Sequence, residues 1–218
     1  MALAWSSTFK EQIRAELLKS RDKFFWAFYQ HFLDCLDQPE SLSATADAIV
    51  VFSHDRVCQE SRYPGMTPEH VARINGAVRE LRSIGNAQRA PKLVLLGVTE
   101  GHDEAKQVAR AAGCDPDEII NLGELPLRET HTGQQCTELA AFARKQKWQH
   151  IHLYSSYYHM LRLHCTATTR FAGAAEKIHR TIGYVPWPQE SESTCCLTEL
   201  VRLIELEVHK TKSYLSPF

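Results

Sequence analysis

No stretch of this chain is apolar for long enough to cross a bilayer, which takes about 20 consecutive residues. Its first dozen residues, MALAWSSTFKEQ, carry charge where a secretion signal needs an apolar core. The sequence therefore predicts a soluble, cytoplasmic protein with no membrane partner. Neither sign of charge is in excess: 25 Lys and Arg stand against 26 Asp and Glu, so no overall field recruits nucleic acid, and an anion has to be held locally. Seven cysteines, an odd number at 35, 58, 114, 136, 165, 195 and 196, show no C-x-x-C spacing. That pattern fits neither a disulfide framework nor a zinc knuckle and is read as reduced thiols. The adjacent Cys195-Cys196 pair is taken as two small residues near a helix start, with a redox role as the alternative. Also missing are G-x-G-x-x-G, G-x-x-x-x-G-K-[ST] and G-x-S-x-G, which removes the dinucleotide fingerprint, the P-loop and the nucleophile elbow. There is no short-period repeat and no low-complexity tract.

What the sequence does hold is a change of rhythm near residue 43. Before it, apolar residues recur at helical spacing (Phe9, Ile13, Leu17, then Phe24, Phe25, Phe28, Phe32 and Leu36), predicting a helical extension over residues 1–42. Its aromatic cluster, Phe24 to Tyr29, packs on its own domain or serves as a docking or homodimer surface. From Asp47 onward, short apolar runs alternate with helical stretches, the signature of strand-crossover-strand units and a parallel sheet. Strands are predicted at 48–52, 92–97, 118–121 and 150–154, with an edge strand at Gly183–Trp187. Helices are predicted at 68–84, 103–112, 132–146, up to about 172, and from Ser193 or Thr194 to about Tyr214. The fold class is α/β: a three-layer α/β/α sandwich with a mostly parallel sheet of about five strands and an extra N-terminal helix, the α/β domain covering 43–218.

In such a sheet all strands point to one edge, so polar residues just after each strand converge without any linear motif. They are Ser53, His54, Asp55 and Arg56; Thr99, Glu100, His102 and Glu104; Glu124, Arg128, Thr130, His131 and Thr132; and Ser155, Ser156, His159 and Arg162. The last group is the focus. Ser155-Ser156 is where a strand opens into a helix, and His159 and Arg162 lie one turn apart, forming either one wall of a pocket or a solvated helix face. Arginines and helix starts suit a phosphate or carboxylate, and His159, Glu100 or Asp55 suits general acid–base work. His54, Asp55 and His131 form a possible metal set, although no ligand pair has a recognised metal spacing. His150 and His152 share a strand face and are read as packing residues.

The order DAIVVF (47–52), RINGAVREL (73–81), APKLVLLG (90–97), EAKQVARAAGCDPDEI (104–119), THTGQQ (130–135) and SSYYHMLR (155–162) resembles the YdcF, SanA and ElyC family. The resemblance spans roughly residues 47–185 and is most specific in its final motif. It implies a Rossmann-like fold and a ligand pocket in which Arg73, Gly97, Glu104, Thr132, Ser155, Ser156, His159 and Arg162 match the family's pattern. Departures are clear: Ser53-His54-Asp55 stands where glycines are usual, Val98 replaces the second glycine of a pair, and His131, Gln134 and Gln135 replace Asn, Glu and Asn. Side chains at 53–55 obstruct the close approach to phosphate that a glycine loop permits.

Three functions follow as expectations. The first is a small-molecule pocket protein that binds or acts on a nucleotide-like or phosphorylated ligand, with S-adenosylmethionine or a nucleotide implied by the resemblance as the cofactor. Arg73 and Arg162 hold an anion, His159 with Glu104 orients or transfers a proton, and Ser53, His54, Gly97, Thr99, Glu100, His131, Thr132, Ser155 and Ser156 complete the binding set. The second is a catalytically silent scaffold that uses the aromatic N-terminal helix. The third is a metal-dependent hydrolase.

Overall fold

The computed structural model describes residues 7–19, 46–52, 66–84, 91–97, 102–122, 132–171, 177–184 and 194–215. Among the described residues five strands form one sheet: β1 (Ala48–Phe52), β2 (Lys92–Leu96), β3 (Ile119–Asn121), β4 (His150–Ser156) and β5 (Lys177–Tyr184). All four pairings are parallel, in the order β3-β2-β1-β4-β5. The described α-helices are α1 (Ser7–Leu17), α2 (Pro68–Ser83), α3 (His102–Ala111), α4 (Thr132–Gln146), α5 (Tyr157–Arg170) and α6 (Thr194–Leu215). This is the predicted α/β/α sandwich.

Because the sheet is covered on both faces, β1 and β2 read as unbroken apolar runs, and the pleat deals alternate residues to the two layers. Ala48, Val50, Phe52, Val94, Leu96, Ile151 and Leu153 pack on Leu139, Ala140 and Ala143 of α4 and on Met160, Leu163 and Ala167 of α5. Ile49, Val51, Leu93, Leu95 and Tyr154 face Ile74, Ala77 and Val78 of α2 and Val108 and Ala109 of α3. His152, fully buried opposite Ile49, is the core residue its position on the strand predicts.

Local chemistry sets the boundaries. Thr67 caps α2 by accepting the His70 N–H at 3.1 Å, with Pro68 in the first turn, where its missing N–H costs nothing. Gly113 closes α3 at φ 99°, a left-handed backbone that glycine adopts without strain. Asp47 ties the sheet together at its far edge: its carboxylate accepts the N–H groups of Gln149 at 2.7 Å and His150 at 3.0 Å.

One boundary differs from that expected. The edge strand spans Lys177–Tyr184, beginning six residues before the predicted Gly183–Trp187, whose residues 185–187 lie outside the described residues. The apolar stripe of α1 runs to Leu17, where the helix gives way to a turn at Leu18 and Lys19; the predicted continuation to Leu36 lies outside the described residues. That stripe, Phe9, Ile13 and Leu17, is buried, and α1 packs on α6. The aromatic cluster at 24–29 lies outside the described residues. Among the described residues no helix is long and apolar enough to cross a membrane.

Candidate functional site

The order β3-β2-β1-β4-β5 places a topological switch between β1 and β4. The helix after β1 goes to one face of the sheet and the helix after β4 to the other, the arrangement at which open α/β sheets generally keep a crevice beyond the strand tips. Ser155 and Ser156 end β4 at that switch point, both fully buried.

On the α4/α5 face a line of side chains runs from Ser155 outward. Ser155 Oγ is 2.9 Å from His159 Nδ1, one helical turn further on. His159 Nε2 is 3.4 Å from Thr132 Oγ1 at the start of α4. Thr132 Oγ1 accepts from Arg162 Nη1 at 2.7 Å, and Arg162 Nε donates to Glu207 Oε2 of α6 at 2.6 Å. Lys210 Nζ closes the line on Glu207 Oε1 at 3.0 Å. The imidazole is thus held at both ring nitrogens. Arg162 can only donate, so it fixes one lone pair of Thr132, while the histidine tautomer follows from how the two hydroxyl protons are shared.

The α2 face carries a second, separate cluster. Arg73, fully buried, donates from Nε to Ser156 Oγ at 2.7 Å, from Nη1 to the Phe52 carbonyl at 2.8 Å, and from Nη2 to Glu69. Ser156 Oγ donates to the same Glu69 carboxylate. Ser156 is the cap residue of α5 yet makes no capping bond with its side chain, because its hydroxyl is engaged by α2. Arg73 therefore ties the tips of β1 and β4 to α2.

Burial also sets the chemistry of nearby groups. Tyr154 donates to Glu80 of α2, and desolvation lifts the Glu80 carboxyl from 4.5 to about 7 despite that bond. Desolvation likewise raises the Tyr154 phenol and pushes the Cys136 thiol up to about 12, which makes this buried cysteine inert.

Of the residues chosen from sequence, Thr132, Ser155, His159 and Arg162 form one network, and Arg73 and Ser156 form another across the sheet. Gly97 follows β2 at the same edge and is buried. Glu104 does not join His159: it is half-buried on α3, in the opposite layer, and among the described residues no hydrogen bond links the two. Neither arginine is a bare cation, since each is already matched to a carboxylate. Ser53, His54, Thr99, Glu100 and His131 lie outside the described residues, as does Asp55. Among the described residues no group of three or more His, Cys, Asp or Glu is arranged to hold a metal ion. Cys195 and Cys196 fall in the first turn of α6.

Sequence reasoning missed both carboxylates. Glu69 had a signal, its i,i+4 spacing to Arg73 on one helix. Glu207 had a fainter one, an acidic residue within the buried stripe of Ile204 and Val208. Compared with family models, curated proteins and solved structures, the chain finds no match in any of the three.

Proposed function

We propose that this chain is a small-molecule pocket protein of the YdcF-like kind, taking a nucleotide-like or phosphorylated ligand at the C-terminal ends of its strands, with S-adenosylmethionine as one candidate. The observation that carries this reading is the line Ser155, His159, Thr132, Arg162, Glu207. It gathers the tip of β4 and three helices at the switch point, where open α/β sheets keep their ligands. In this reading His159 is the group that moves or orients a proton. Ser155 and Thr132 are its immediate partners, and Glu104 takes no part in that step. Arg162 presents its guanidinium at the start of α4, with its charge balanced by Glu207 until an anionic ligand arrives to share it.

The scaffold alternative rests on the aromatic cluster at 24–29, which lies outside the described residues. The test is a melting-temperature panel of nucleotides, sugar phosphates and S-adenosylmethionine on the full chain and on Arg162→Ala and His159→Gln. At least one ligand class should raise the wild-type melting temperature, with the rise lost in Arg162→Ala. No rise with any class, or an equal rise in both variants, overturns the reading.

A further inference from the structure

The buried carboxylate of α6 is the least expected member of the network. Glu207 is 5% exposed and flanked by Ile204 and Val208, at 3% and 2%. An apolar residue would fill that stripe without the desolvation cost of an ion, so a buried ion pair is weak evidence for stability as such. What this pair does supply is direction. Arg162 has a long, rotatable side chain, and Glu207 takes Nε at 2.6 Å and Nη2 at 3.5 Å, which leaves Nη1 facing Thr132. Thr132 in turn stands beside His159 Nε2. α6 in turn packs on α1, whose Phe9, Ile13 and Leu17 are at most 1% exposed.

We infer that Glu207 is a positioning residue for His159, acting through Arg162 and Thr132, so that docking of α6, which packs on α1, sets the orientation and tautomer of the ring. This rests on the reading of His159 as the working group of the pocket. It makes the site conditional on two helices that lie outside the strand-crossover repeat: an α6 that lifts away takes the carboxylate with it, the guanidinium loses that ion pair, and the constraint reaching the imidazole through Thr132 is relaxed.

The experiment needs no ligand. Imidazole ¹⁵N signals of the full chain are recorded, with those of His159 identified by their loss in His159→Gln. The wild type should show two well-separated ring-nitrogen signals, one protonated and one bare, as a single tautomer requires. Glu207→Gln should draw the two together while the other histidine signals stay in place. Ile13→Ala, on α1 and remote from the ring, should move the His159 pair in the same direction and speed amide exchange over residues 194–215 about tenfold or more. The inference is overturned if folded Glu207→Gln keeps the wild-type His159 signals, or if Ile13→Ala loosens α6 without moving them. Should Glu207→Gln fail to fold, Ile13→Ala alone decides. The ring signals and the ligand panel are independent, so loss of the coupling and loss of the pocket are told apart.

Discussion

Ser155 and Ser156 are adjacent in sequence and serve opposite layers. Ser155 Oγ meets His159 on the α5 side at 2.9 Å, and Ser156 Oγ accepts from Arg73 on the α2 side at 2.7 Å. The pleat that sends alternate residues to alternate faces persists to the tip of β4, so one dipeptide feeds two networks.

Separate effects follow from replacing them one at a time. Ser156→Ala leaves the buried Arg73 Nε without its acceptor, an unmade bond that costs about 1–3 kcal/mol. The urea midpoint should fall accordingly, with the ligand-induced melting shift retained. Ser155→Ala should show the reverse emphasis: a smaller loss of stability and an abolished ligand shift. Equal behaviour of the two variants in both measurements would argue against a division between the layers.

Gly76 of α2 lies directly against Tyr154. A Cβ built there meets the Tyr154 Oη at 2.6 Å, Cε1 at 3.0 Å and Cζ at 3.2 Å. Gly76→Ala gains helix propensity, but the clash is with a buried ring, and overpacking of this kind costs about 1–3 kcal/mol. Tyr154→Phe removes the nearest atom, so Gly76→Ala should cost less in that background, and a double-mutant cycle by denaturant unfolding reads the difference. Additive effects would mean that the ring moves aside freely.

Glu80 gives the fold a pH dependence of known sign. Its carboxyl is raised from 4.5 to about 7 by desolvation, with the Tyr154 hydroxyl only partly offsetting this. Below about 4.5 the group is protonated in both folded and unfolded chains, and its contribution is fully present. Between about 4.5 and 7 the unfolded chain releases the proton while the folded one retains it, so stability falls as pH rises; above about 7 the loss is complete and constant. Melting temperatures of Glu80→Gln and wild type should therefore diverge across that window, with the wild type losing more as pH rises. Parallel curves would mean that the carboxyl titrates normally.

Much of the fold was legible because its signals are local. Thr67-Pro68, Gly113 and the apolar runs of β1 and β2 each announce a boundary through backbone chemistry that acts over a few residues. The edge strand starts earlier than GYVPW predicts because its first residues, KIHRTI, mix charged and apolar side chains and carry a weaker strand signal. At the site, the serines, Thr132, His159 and Arg162 could be picked out, since strand-end position is itself a sequence-level signal. Their partners could not. Nothing in the linear sequence ties Arg162 to a carboxylate 45 residues later, and strand-end position alone does not say which face of the sheet a residue will serve, so Glu104 was grouped with a histidine in the opposite layer.

The pairing of β1 with β4 has a consequence for how the molecule is made. Asp47 waits for His150, 103 residues downstream, so a chain emerging from the ribosome completes β3-β2-β1 long before the middle of the sheet closes. Until then β1 presents an unpaired apolar border, the kind of surface on which nascent chains aggregate. The imidazole arrives with the strand that seals that border and its outermost carboxylate later still, so the Ser155–Glu207 line is completed only after the sheet has closed.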